Sequence, residues 1–159
     1  MTMQEFARRE EPLREKLFRT ALAILGSPSA AEEALDETVF RGLQACGRLR
    51  ETEYFTTWLT RILLNACTDE LRRRKRETVL DALPETGAEA YDGMPIREAL
   101  ARIPRELRDV AVLRYVSGYT LAETAEILDI PPSTVSYRQQ RALDLLRLEL
   151  EGEDENESQ

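Results

Sequence analysis

Thr120-Leu121-Ala122-Glu123-Thr124-Ala125-Glu126-Ile127-Leu128, then Asp129-Ile130-Pro131-Pro132, then Ser133-Thr134-Val135-Ser136-Tyr137-Arg138-Gln139-Gln140-Arg141-Ala142-Leu143-Asp144-Leu145-Leu146, spells two helices and the break between them. Thr120 and Glu123 have the spacing at which each side chain bonds the other's backbone amide, so a helix starts at Leu121. It buries Leu121, Ala125 and Leu128 at helical spacing. The paired prolines stop it, because proline disfavours helical geometry in the residue before it and has no amide proton to donate. In the second helix Val135, Ala142, Leu143, Leu146 and Leu150 fall on one side, with Thr134, Tyr137, Arg138 and Arg141 opposite. A short helix, a tight turn and a longer helix with hydroxyls and arginines on its open face make a helix-turn-helix, whose second helix suits a DNA major groove. A plain helical hairpin with solvated arginines has the same pattern. These residues alone leave both readings open.

Working outward, the apolar residues of the 159-residue chain recur at helical spacing, and no alternating strand pattern stands out. The fold class expected is all-α, with two small helical domains joined by a flexible linker. No apolar run is long enough to cross a bilayer and no signal-peptide pattern opens the chain, so a cytoplasmic protein is expected. Cys46 and Cys67 have neither metal-like nor redox-like spacing. Histidine is absent, which removes the commonest general base and the commonest metal ligand. No motif points to catalysis, a metal or a cofactor, and none of the three is expected.

The net charge of −8 argues against a nucleic-acid binder until it is mapped along the chain. Residues 1–76 carry 14 basic and 12 acidic side chains, a net +2. Residues 77–95 carry no basic and 5 acidic side chains, and residues 96–150 carry 8 of each. The end, 151–159, has 5 acidic side chains and none basic. The acidity sits in two segments expected to lack fixed structure, a linker over 77–95 and a disordered tail over 151–159. The two domains expected to fold, 1–76 and 96–150, are neutral to basic.

The first helix is predicted from about Gln4 to Leu25, ended by Gly26-Ser27-Pro28. Ser29 and Glu32 have capping-box spacing and predict a second helix to about Cys46. Its polar side carries Glu33, Asp36, Glu37, Arg41 and Gln44, with Phe40 stranded among them. Phe40 either marks a partner surface or turns inward with a slightly rotated helix. After a polar loop from Gly47 to Tyr54, a helix from Phe55 to Arg76 is predicted. Phe55, Trp58, Leu59, Ile62, Leu63 and Ala66 line one face, and Thr57, Arg61, Asn65, Thr68 and Arg72 the other. It closes in Arg72-Arg73-Arg74-Lys75-Arg76. Cations are favoured at any helix C-terminus, but a Thr/Asn/Arg stripe leading into them suits a phosphate backbone. The linker loses periodicity, with one helical turn predicted near Val79–Leu83. Beyond it, Leu100, Ile103, Leu107, Val110 and Leu113 predict two helices around a break at Pro104, forming the platform for the helix-turn-helix.

Two stretches taken together carry a resemblance. Ala31-Glu32-Glu33-Ala34-Leu35-Asp36-Glu37-Thr38-Val39-Phe40 is followed by Phe55-Thr56-Thr57-Trp58-Leu59-Thr60-Arg61-Ile62, Asn65, Asp69 and the basic run. This resembles the promoter-melting domain of the extracytoplasmic-function sigma factors of bacterial RNA polymerase. Ile103-Pro104-Arg105-Glu106-Leu107-Arg108, then Leu113-Arg114-Tyr115 and the helix-turn-helix, resemble their second domain. The resemblance covers the chain nearly to Leu150. It implies that Asp36, Glu37 and Phe40 bind core RNA polymerase. It implies that Tyr54, Thr57, Arg61, Asn65, Arg72 and Arg73 engage the −10 promoter element, and that Ser133, Thr134, Ser136, Tyr137, Arg138 and Arg141 engage the −35 element. An anti-sigma factor is the further partner implied, with no small-molecule substrate and no membrane span. The family often has glutamine where this chain has Asp36, a basic residue at Ser136 and an apolar one at Gln139. These departures keep a rival in view, a sigma mimic that titrates an anti-sigma factor without promoter activity. A stand-alone helix-turn-helix repressor would leave the first domain's pattern unexplained.

Overall fold

Thr2 accepts a hydrogen bond from the Glu5 amide and starts α1 (Met3–Glu10). The computed structural model describes residues 1–80 and 94–157, with side chains over 1–77 and 96–152. Among the described residues the backbone is helix and helical turn, with no strand, as the all-α expectation has it. The chain divides into two units, Met1–Ala88 and Glu89–Gln159.

In the first unit the single helix predicted from Gln4 to Leu25 is interrupted. A 3₁₀ turn at Glu11–Leu13 separates α1 from α2 (Arg14–Leu25). Pro12 is the cause, since it has no amide proton for the helical ladder. Gly26 ends α2 in the left-handed region, φ 76°, where glycine alone is unstrained. α3 (Pro28–Ala45) is capped by Ser27, whose hydroxyl accepts from the Ala30 amide, and not by Ser29. Pro28 explains the shift: at the first helical position its missing amide costs nothing, which leaves Ser27 as the last extended residue. Two 3₁₀ turns, Cys46–Arg48 and Thr52–Tyr54, lead to α4 (Phe55–Leu80). α4 runs past the expected end at Arg76 because no glycine or proline intervenes and Glu77 pairs with Arg73 one turn back.

The core of this unit is Phe6, Leu17, Ala21, Ile24, Ala31, Leu35, Leu59 and Leu63, all under one tenth exposed. Each large apolar side chain so buried contributes roughly 1.5–3 kcal/mol. The Phe6 ring meets Phe55 and Trp58 edge-on, centroids 5.5 and 6.2 Å apart. Gly42 makes that possible, because a Cβ there would lie 2.6 Å from the Phe6 ring. Thr68, expected on the polar stripe of α4, is buried, and its hydroxyl donates to the Leu64 carbonyl at 2.9 Å. An internal bond of that kind lets threonine pass as a core residue.

In the second unit α5 (Met94–Arg102) begins two residues inside the segment expected to be linker, and α6 (Arg105–Ala111) follows the Pro104 break. A π-helical turn, Val112–Val116, then leads through Gly118, at φ 78°, to α7 (Leu121–Leu128). The Thr120–Glu123 capping box is present with both bonds, 2.9 and 3.1 Å. Asp129 ends α7 in the left-handed region, and the Ile130 amide closes the end on the Ala125 carbonyl at 3.0 Å. α8 (Pro132–Glu157) packs Val135 against Val110 and Ala125, flanked by Leu121, Leu128 and Ile130. It continues to Glu157 where a disordered tail was expected from 151. Glutamate is a good helix former, and a lone Gly152 costs a running helix only about 1 kcal/mol. The remaining linker residues, with the part of the predicted Val79–Leu83 turn that falls there, and the last two positions of the tail lie outside the described residues. No helix among those described is long and apolar enough to cross a membrane.

Candidate nucleic-acid interface

Buried Leu59, Leu63, Ala66 and Cys67 fix which side of α4 faces in, and so which faces out. Arg61, Asn65 and Arg72 are exposed along that outer side, Thr57 is half-buried, and exposed Tyr54 sits in the turn just before the helix. The five-cation run divides by partner and exposure. Arg73 donates to Glu70 at 2.9 and 3.0 Å and to Glu77 at 3.3 Å. Arg74 is half-buried and donates to Glu70 and, at 2.9 Å, to the Leu25 carbonyl, one of the orphan acceptors at the end of α2. Arg72, Lys75 and Arg76 stay exposed. The hydrogen bond from Arg73, reinforced by the charges of Arg73 and Arg74, holds the Glu70 carboxyl below its ordinary range. Arg73, one of the −10 candidates from sequence, is exposed and paired with the acids three residues before and four after it, a pairing the spacing already allowed.

On α3, Asp36, Glu37 and Phe40 share one exposed ridge, and Phe40 is 57% exposed. The structure therefore decides the question left open for Phe40 in favour of a surface residue. Glu37 accepts from Arg41 at 2.9 Å, and Arg41 reaches Asp69 of α4 at 3.0 Å. A cleft of about 340 Å³ beside this ridge is lined by Glu33, Glu37, Arg41, Asp69, Glu70 and Arg73. Arg41 pairs with Glu37 on its own helix and with Asp69 across the cleft, which ties α3 to α4, and Arg73 pairs with Glu70 within α4.

In the second unit the open face of α8 differs from the one expected. Val135 and Ala142 are fully buried while Leu143 is only half-buried, so the buried line runs through the first two. The exposed stripe opposite is Ser133, Ser136, Tyr137, Gln140 and Arg141, turned by about a quarter turn from the face predicted. Thr134 and Arg138 fall on its flank, half-buried. Tyr137 is 70% exposed, in the N-terminal part of a helix where a major-groove reader makes its base contacts. Gln140, not among the candidates from sequence, lies in the same exposed stripe. It occupies the turn between Tyr137 and Arg141 and donates to Asp144 at 3.1 Å. Its i, i+3, i+4, i+7 relation to Ser133, Ser136 and Tyr137 was the legible signal. No cluster of metal-ligating side chains occurs among the described residues.

Residues 11–77 match the model of sigma-70 region 2, and residues 93–146 that of sigma-70 region 4. The chain is 28% identical over 157 residues to the ECF RNA polymerase sigma factor SigW of Bacillus subtilis, covering 86% of this chain and 84% of that one. It is 31% identical over 132 residues to SigM of Mycobacterium tuberculosis, covering 80% and 67%. SigL of the same organism is 30% identical over 146 residues, covering 85% and 82%. Among solved structures, the sigma factor RpoE in complex with the anti-sigma factor NepR from Bartonella quintana shares the fold at TM-score 0.72, with 19% identity over 93% of this chain and 98% of that one. CnrH in complex with the cytosolic domain of CnrY does so at TM-score 0.67, with 20% identity over 94% and 89%. With both regions present, in order and across most of its length, the chain belongs to the extracytoplasmic-function sigma factors of the sigma-70 family.

Proposed function

We propose that this sigma factor divides its work among three surfaces: the α3 ridge for core RNA polymerase, the outer side of α4 for the −10 element, and the exposed stripe of α8 for the −35 element. The observation that carries this reading is the pair of polar stripes, one on α4 and one on α8, in two separately packed units of one chain. Asp36, Glu37 and Phe40 offer an acidic rim around one exposed aromatic, which suits a basic, grooved partner. Along α4, Arg61, Asn65, Arg72, Lys75 and Arg76 can follow a phosphate backbone, and Tyr54 offers a ring on which an unstacked base can rest. In α8, Ser133, Ser136, Tyr137, Gln140 and Arg141 enter the major groove. Glutamine suits adenine bidentately and arginine suits guanine, each pair worth about 1–3 kcal/mol of discrimination.

The protein acts as a factor that directs the polymerase and itself makes or breaks no bond. An anti-sigma factor is the partner class by which it would be held in check, a reading supported by the structurally similar RpoE, which is bound to the anti-sigma factor NepR. The rival reading, a mimic that only titrates such a partner, draws on Asp36 and on the balance of 8 basic and 8 acidic side chains over residues 96–150, where Arg138, Arg141 and Arg147 are the cations carried by α8. Run-off transcription with core polymerase over a promoter library separates the two. Promoter-specific transcripts support the sigma reading. Binding to core with no transcript on any promoter favours the mimic.

A further inference from the structure

We propose that Arg114 is a positioning residue for the −35-reading helix, and that it sets the rotation of α8 through Gln139. This rests on the reading of the α8 stripe given above. Arg114 lies in the π turn, where the Ser117 amide reaches back five residues to the Val112 carbonyl at 2.9 Å. Such a turn holds one residue more than an α turn and redirects the side chains that follow. Tyr115 and Val116 point to solvent, while Arg114 is half-buried. Its Nη1 donates to the Tyr119 carbonyl at 2.7 Å, and its Nε donates to Oε1 of Gln139 at 2.9 Å. The Tyr119 amide is itself bound to the Leu113 carbonyl at 2.9 Å, so both ends of the Gly118 turn are fixed to the π segment. One guanidinium thus joins the π turn, the approach to α7 and the reading helix.

The reason such a link matters is geometric. Val110, Ala125 and Val135, with Leu121, Leu128 and Ile130 beside them, hold α8 by apolar packing, which is strong but has no preferred direction of its own. A hydrogen bond at 2.9 Å to a planar, doubly anchored donor is directional. Gln139 lies on the flank of α8 away from the exposed stripe, so it restrains roll without touching DNA. A roll of about 10° moves a group about 7 Å from the helix axis by roughly 1 Å, more than a base-edge hydrogen bond tolerates. Gln139, which departs from the apolar residue usual in the family resemblance, is by this account the acceptor that makes the restraint.

The test uses the full chain with core polymerase. Transcription from a promoter is compared with transcription from its single-base −35 variants, alongside thermal melting and co-purification with core. Gln139→Leu removes the acceptor at similar volume, and Gln139→Glu keeps an acceptor and adds charge. Gln139→Met stands in should the leucine variant fail to fold. The expected result is a loss of discrimination of roughly three- to tenfold in Gln139→Leu, with core binding retained, and near-wild-type discrimination in Gln139→Glu. Unchanged discrimination in Gln139→Leu overturns the proposal while leaving the −35 reading intact. Equal loss in the leucine and glutamate variants also overturns it, since the acceptor would then not be what matters. A wild type with no −35 preference overturns both the stripe reading and the proposal.

Discussion

Gly42 sits inside α3, where glycine is about 1 kcal/mol worse than alanine. The Phe6 ring explains why alanine is not there: an added Cβ would meet it at 2.6 and 2.7 Å and the Leu59 side chain at 3.2 Å. Phe6 is almost fully buried and braced by two other rings, so it has little room to retreat. Gly42→Ala should therefore destabilise the first unit by about 1–3 kcal/mol despite its better helix propensity. Chemical denaturation followed by circular dichroism measures this, with Gly47→Ala, which meets nothing within 4 Å, as the control. Equal midpoints for wild type and Gly42→Ala would show that Phe6 yields. In the second unit Thr124 is fully buried and its hydroxyl has no hydrogen-bond partner among the described residues. Burying an unsatisfied hydroxyl costs about 1–3 kcal/mol, and valine keeps the branched shape without it. Thr124→Val should raise the unfolding midpoint of that unit, and a lowered midpoint would mean that the hydroxyl is satisfied in solution.

At the scale of elements, α4 depends on two polar clasps as much as on its apolar face. Arg41 bridges Glu37 and Asp69, and Arg74 closes the end of α2 with Glu70 as its second anchor. Because the folded Glu70 carboxyl is held below its ordinary value of 4.5, its contribution is present above that pH and fades as pH falls through the lower folded value. Melting compared at about pH 3 and pH 6 should show a smaller acid loss for Glu70→Gln than for wild type. Identical losses would remove Glu70 from the acid response. The same elements show what was legible beforehand. Thr120 and Glu123 announced α7 because a capping box is local chemistry, satisfied by residues three apart. Proline was read well at Pro104 and Pro131, which sit at the breaks expected of them, and poorly at Pro12, which interrupts the first helix, and at Pro28, which begins α3. The rotation of α8 was not legible, since Leu143 and Ala142 look equally suited to a core until Val110 and Ala125 pick out one line. Nor was the fate of Arg74, whose acceptor lies 49 residues away.

At the scale of the molecule, a net charge of −8 is compatible with the proposed DNA surfaces because the acidic excess is concentrated in residues 77–95 and 151–159. α8 shows this within one rod. At ~1.5 Å per residue its 26 residues span about 39 Å, and Arg141 lies about 15 Å along the rod from Glu151, where the acidic end begins. That exceeds the Debye length of about 10 Å in 0.1 M salt, so the acidic end barely weakens the contacts made by a properly seated recognition stripe. It does oppose any encounter that brings the other end to the phosphates. Truncation after Leu150 should accordingly strengthen binding to non-promoter DNA several-fold at low salt and leave promoter affinity nearly unchanged, as fluorescence anisotropy at two salt concentrations would read. An equal gain on both DNAs would mean that the end acts only through overall charge. If the truncation behaves so, a helix that continues unbroken into acidic residues works like the fletching of an arrow: it adds nothing at the point, yet governs which end arrives first.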